Sequence, residues 1–136
     1  MTGKSPRKKV DALHWQGRLR VAQAFLEAAQ QAHRLATPGQ DCNPIISQIV
    51  LATIAFGDSL TAKRAQVVNQ HDHAQAPRLL RDVLGNLLPD GQERRYRRIL
   101  SFKDEAQYGT RQALRDEATR LLADLEEFAR WTEGFF

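Results

Sequence analysis

With a single cysteine, Cys42, the chain cannot close an internal disulfide, and a reducing cytoplasm is its simplest setting. Its first residues lack the charged-then-apolar order and small-residue cleavage site of a secretory leader. The longest nearly unbroken apolar stretch, Pro44 to Gly57, falls short of the ~20 residues that cross a bilayer and is interrupted by Ser47 and Gln48, so no membrane association is expected. No segment alternates polar and apolar residues as a half-buried strand does. Compact catalytic signatures are also missing. There is no Gly-rich phosphate loop, paired-cysteine spacing, His-Glu-x-x-His or serine in a nucleophile-elbow context, and no cofactor is expected. His71 and His73 diverge by about 200° on a helix. With Asp72 as the one neighbouring ligand, capping or exposure is the plainer role for them, and no metal is expected.

What is present begins with an uneven charge. The net charge is +4, yet residues 1–20 carry +5 and the rest of the chain −1. Lys4, Arg7, Lys8 and Lys9, with Ser5 and Pro6 among them, read as a basic disordered arm over residues 1–12 that aids solubility or touches phosphates. Residues 13–136 are about one domain long and can bury roughly two-thirds of their unfolded surface without a staple.

The spacing from residue 13 onward is helical. Ala22, Phe25, Leu26, Ala29 and Ala32 repeat at i, i+3, i+4, i+7 and predict a helix over 13–36, ended by Thr37-Pro38-Gly39. A second helix starts at Asn43-Pro44, with Asp41 or Asn43 as cap, and is apolar nearly all round through Leu60. Such a helix belongs at the centre of a bundle. Asp72 can cap a third, whose stripe runs Leu79, Leu80, Val83, Leu84, Leu87 and Leu88. After Pro89-Asp90-Gly91, Tyr96, Ile99, Leu100, Lys103 and Ala106 line a fourth that stops at Gly109. The last keeps Leu114, Ala118, Leu121, Leu122, Leu125, Phe128 and Ala129 on one face, with Thr110 as a candidate cap. The expectation is all-α: an antiparallel up-down four-helix bundle with a fifth short helical piece. The aromatic end, Trp131, Phe135 and Phe136, reads either as a self-association surface or as a tail folded onto its own bundle.

Two polar features stand out. Asp58 lies in the most apolar stretch of the sequence, where an unpaired carboxylate would cost several kcal/mol, so a partner should come from elsewhere. Arg94, Arg95, Arg97 and Arg98 surround Tyr96 and form a candidate phosphate-binding cluster. Because Tyr96 is needed for the apolar stripe, the arginines fan over exposed flanks and can instead pair with the acidic excess of residues 104–136, which has eight acids against four bases.

Three runs carry a family likeness: Ala-Phe-Gly-Asp58-Ser-Leu, then His71-Asp-His73-Ala-Gln-Ala-Pro-Arg-Leu-Leu80, then Arg-Ile-Leu-Ser-Phe-Lys103-Asp-Glu-Ala-Gln-Tyr108-Gly109. In that order, over roughly residues 20–132, the chain resembles the HEPN superfamily of bacterial helical-bundle proteins. The resemblance implies a four-to-five-helix bundle, a homodimer, and often a small nucleotidyltransferase as partner in a toxin–antitoxin or defence setting. Catalytic members are metal-independent RNases with an arginine, four to six residues, then a histidine. Here Lys103 stands for the arginine and Tyr108 for the histidine, and a phenol of pKa near 10 is a poor substitute for imidazole. The reading is therefore a noncatalytic HEPN-like bundle that dimerises and binds a partner protein or a nucleotide-like ligand. The alternative is an RNase toxin with an altered motif around Lys103 and Tyr108 that acts on RNA. Asp58, His73, Lys103 and Tyr108 form the candidate polar cluster, either a buried Asp58–Lys103 pair with Tyr108 donating to the carboxylate or an open pocket that binds a small anion, a nucleotide or an RNA phosphate.

Overall fold

The computed structural model describes residues 7–136 apart from His71. The long helices are α1 (His14–Leu35), α2 (Asn43–Ala65) and α6 (Arg115–Glu133). Between α2 and α6 lie α3 (Ala76–Leu84), α4 (Asp90–Leu100) and α5 (Lys103–Tyr108), with single 3-10 turns at His73–Gln75 and Gly85–Leu87. The chain is thus mostly helical, as its periodicity predicts.

Hydrophobic patterning puts α2 in the middle. Ile45, Ile46, Ile49, Val50, Ala52, Phe56 and Leu60 are all buried, and α2 touches every other α-helix. Its three buried hydroxyls are satisfied within the helix: Thr53 Oγ1 donates to Ile49 O at 2.8 Å, Ser59 Oγ to Phe56 O at 2.6 Å and Thr61 Oγ1 to Asp58 O at 3.3 Å. The helix runs to Ala65, past the Leu60 expected, and ends in a left-handed Gln66. At 23 residues it is long and apolar enough to cross a membrane by length and composition, which the shorter run Pro44–Gly57 did not suggest, yet 78% of its most apolar window is buried in the bundle. α1 runs antiparallel to both neighbours. Against α6 it pairs Gln23 with Glu133, Gln30 with Glu126 and His33 with Thr119, each within 2.9 Å.

Several expectations change. The arm expected to be disordered over residues 1–12 is ordered from Arg7, where Arg7–Lys9 forms β1 and pairs antiparallel with β2, Val67–Asn69. Val68 is buried there, and Arg7 reaches Asp82 at 3.3 Å, so a buried apolar contact and an ion pair hold the ribbon. Lys4, Ser5 and Pro6 lie outside the described residues. The third helix stops at Leu84 because Gly85 takes φ +54°, and Arg81 braces the turn by donating to Gly85 O (2.7 Å) and Leu88 O (3.0 Å). The fourth helix is two pieces: Ser101 N–H and Phe102 N–H donate back to Arg97 O and Ile99 O, a tightened turn that re-aims α5.

Caps follow the same local chemistry. Asp41 accepts the Asn43 N–H at 2.9 Å ahead of α2, and Asp72 accepts the Ala74 N–H at 3.0 Å. Glu117 reaches back to the Leu114 N–H at 3.0 Å to start α6, in place of the cap expected from Thr110. The aromatic end folds onto its own bundle. Trp131 meets Phe128 and Phe135 with ring centroids 5.6 and 5.0 Å apart, and Phe136 stacks on Trp15 at 4.7 Å.

Candidate functional site

Asp58 has a partner, but from α1. Arg18 Nε lies 3.2 Å from Asp58 Oδ2, with the side chains 30% and 16% exposed. α1 and α2 pack so that a cation one turn before Ala22 falls opposite the C-terminal half of α2. The Nε–H is not aligned on the carboxylate and is otherwise buried without a partner. Burial therefore dominates: it raises the Asp58 carboxyl to about 6, with the Arg18 charge pulling the other way. The expected Asp58–Lys103 pair does not form. The tightened turn at Ser101 and Phe102 sends Lys103 toward Asp104, 3.8 Å away, and toward the Tyr108 ring, 5.8 Å away.

The tyrosine near Asp58 is also a different one. Tyr108 is 75% exposed and makes no hydrogen bond to Asp58 among the described residues. Tyr96 is buried against α2, and its hydroxyl is pushed far above its usual pKa by burial, then by the Asp58 charge. Gly57 makes that approach possible. A Cβ at Gly57 would lie 2.5 Å from the Tyr96 hydroxyl and 2.8 Å from a ring carbon.

His73 and Lys103 do come together, in a cleft of about 480 Å³ between the turn before α3 and the α4–α5 junction. Asp72, His73, Arg97, Ser101, Lys103 and Asp104 are its polar walls, and Pro77 and Leu100 its apolar ones. The Asp72 cap on Ala74 and the Asn69 side chain, donating to Asp72 O at 3.0 Å, fix the His73 loop. Burial lowers the His73 pKa first, Lys103 adds to the effect, Asp72 opposes it and Arg18 adds a little more. At neutral pH the imidazole is uncharged, set between fixed cations, with Nδ1 buried and unpartnered. The cleft walls carry two cations, Arg97 and Lys103, and two carboxylates, Asp72 and Asp104, so their formal charges balance around the uncharged imidazole. Among the described residues no three His, Cys, Asp or Glu side chains converge as a metal site, and His71 lies outside the described residues.

The arginines of α4 are largely engaged within the chain. Arg98 reaches Asp124 at 2.8 Å and Arg95 approaches the same carboxylate at 3.8 Å. Arg97 is held by Glu93 at 3.1 Å, and Glu93 also takes Arg81. Arg94 is exposed with no ion pair among the described residues. Of the four, Arg97 alone lines the cleft. Sequence reasoning missed Arg18, although a cation spaced four residues before Ala22 on the apolar stripe of α1 was the available signal. No protein-family model matches the chain, and no curated protein matches it in sequence.

Proposed function

We infer that this chain is a noncatalytic HEPN-like up-down helical bundle that dimerises and binds a nucleotide-like ligand through its phosphate. The observation that carries the reading is the cleft in which His73, Arg97 and Lys103 meet. Lys103 offers a point charge suited to phosphate, and Arg97, whose Nε and Nη2 donate to Glu93, has Nη1 left to add. The uncharged His73 adds a single donor. In the HEPN reading the partner protein is a small nucleotidyltransferase. The noncatalytic character rests on Tyr108, an exposed phenol where catalysis near neutral pH calls for an imidazole.

Titration calorimetry with ADP, AMP and inorganic phosphate tests the reading. Lys103→Ala and Arg97→Ala are each expected to weaken nucleotide binding by about tenfold, the loss of one charge-assisted contact. Heats indistinguishable from buffer for all three ligands would overturn it. Light scattering on the purified chain tests the dimer.

One observation favours the second reading, a metal-independent RNase: His73 supplies to the cleft an imidazole that α5 lacks, next to Lys103. Cleavage of a mixed-sequence RNA, abolished by Lys103→Ala and by His73→Ala in chains folded by circular dichroism, would establish the enzyme. Tyr108→Phe separates the altered motif from the cleft, because it should leave a His73-dependent activity intact.

A further inference from the structure

The basic segment at the start of the described chain is paired with the strand that follows the basic end of α2. The β1–β2 register sets Lys8 and Lys9 opposite Val68 and Val67, just beyond the end of α2, where Lys63 and Arg64 stand exposed. Val10 N–H then donates to Gln66 O at 3.0 Å, and Asp11 turns the chain into α1 by accepting the Leu13 N–H at 2.9 Å. Beside that turn is a shallow recess of about 360 Å³ whose walls include His14, Arg18 and Arg20, with Asp11 its one carboxylate. Gly17 leaves the flank of α1 open there, since a Cβ would meet nothing within 4 Å.

Two cations of this end are already held, Arg7 by Asp82 and Arg18 by Asp58. Lys8, Lys9, Arg20 and Arg64 are exposed with no ion pair among the described residues, and Lys63 lies 4.4 Å over the Trp15 ring while staying exposed. Five unneutralised cations thus stand on three elements at one end of the molecule. Spread out and hydrated, they suit a repeating polyanion better than one small ion, because each contact is weak and their counterion release adds.

We propose that this end of the molecule binds the phosphate backbone of a nucleic acid. Lys8, Lys9, Arg20, Lys63 and Arg64 meet successive phosphates, and the recess over Gly17 admits one of them. A lipid surface fits less well, because membrane docking needs a presented apolar layer. Here Trp15 and Phe136 are stacked on each other beneath Lys63, and Leu13 is the one large exposed apolar side chain lining the recess. The contacts come from charged side chains that meet phosphates, so the surface reads backbone and not sequence. The surface does not depend on the cleft at His73.

Fluorescence anisotropy with labelled mixed-sequence RNA and DNA, over a salt series, tests the proposal. Binding of either is expected at low salt, with log K falling linearly with log salt. The combined variant Lys8→Glu, Lys9→Glu, Arg20→Glu should weaken it by at least about tenfold and reduce the salt slope by about 2 to 3. A charge-matched control, Arg34→Glu, Arg115→Glu, Arg120→Glu, alters exposed arginines elsewhere and should leave both quantities close to wild type. Equal losses in the two variants would reduce the effect to bulk charge and overturn the proposal. So would no binding of either nucleic acid at low salt, or capture by anionic phosphatidylserine vesicles in its place.

Discussion

Replacing Asp58 by asparagine should stabilise the protein at neutral pH, although it removes one partner of an ion pair. Burial outweighs the Arg18 charge at this carboxyl, which therefore keeps its proton up to about pH 6 in the folded chain. In the unfolded chain it loses that proton at about pH 4. Between those values the folded state binds the extra proton, so the Asp58 contribution to stability falls as pH rises, by about 3 kcal/mol in all. His73 acts with the opposite sign. Its pKa is lowered on folding, so below its ordinary value the unfolded chain takes up the proton and stability falls as pH falls. Comparing wild type with Asp58→Asn at each pH cancels that term. The variant should be up to about 3 kcal/mol more stable at about pH 7.5, a rise of about 1.5 M in urea midpoint for an m-value of about 2 kcal/mol/M. Below about pH 4, as the unfolded carboxyl is protonated too, the two curves should converge. A variant less stable than wild type at neutral pH, with a gap that closes on acidification, would mean that Arg18 wins and the reasoning is wrong.

Gly57→Ala should cost about 1–3 kcal/mol in urea melts, as an overpacked core does, because the new methyl collides with Tyr96. Tyr96→Phe on that background should restore only part, since ring carbons as well as the hydroxyl lie within 2.9 Å of where that methyl would sit. Phe128→Ala removes a fully buried ring stacked on Tyr96 at 5.3 Å, and a loss of about 3–5 kcal/mol is expected in thermal or urea unfolding. Arg81→Lys keeps the charge but loses the fork that spans Gly85 O, Leu88 O and Glu93. Limited proteolysis should then cut faster between Gly85 and Asp90, and an unchanged rate would show that the brace is dispensable.

The helices were legible because burial imposes a 3.6-residue period, and α2 announced its central position by having no polar face. The β1–β2 ribbon was not, since three residues are too few for an alternation and Arg-Lys-Lys has no apolar member to alternate. The break at Ser101 escaped for another reason. Ser101 and Phe102 keep right-handed dihedrals, so the apolar stripe from Tyr96 to Ala106 continues across a turn that redirects the axis. That turn decides where Lys103 goes. Asp58 could be flagged for burial from its neighbours, but choosing Arg18 over Lys103 required the register between two helices, which neither helix's own pattern contains. His73 and Lys103 meet for the converse reason: each lies at the start of a short element, and short connections bring such starts together.

The enclosure of α2 matters before the fold is complete. During synthesis this segment, of mean hydropathy 1.5, leaves the ribosome with α1 already made and with α3 to α6 still to come. α1 is the helix it contacts most extensively in the finished fold, so an α1–α2 hairpin is the shelter available at that stage. One flank of a membrane-like helix stays open until the last nineteen-residue helix arrives. The α1–α2 hairpin therefore limits how much of this apolar surface is open before α6 closes the bundle.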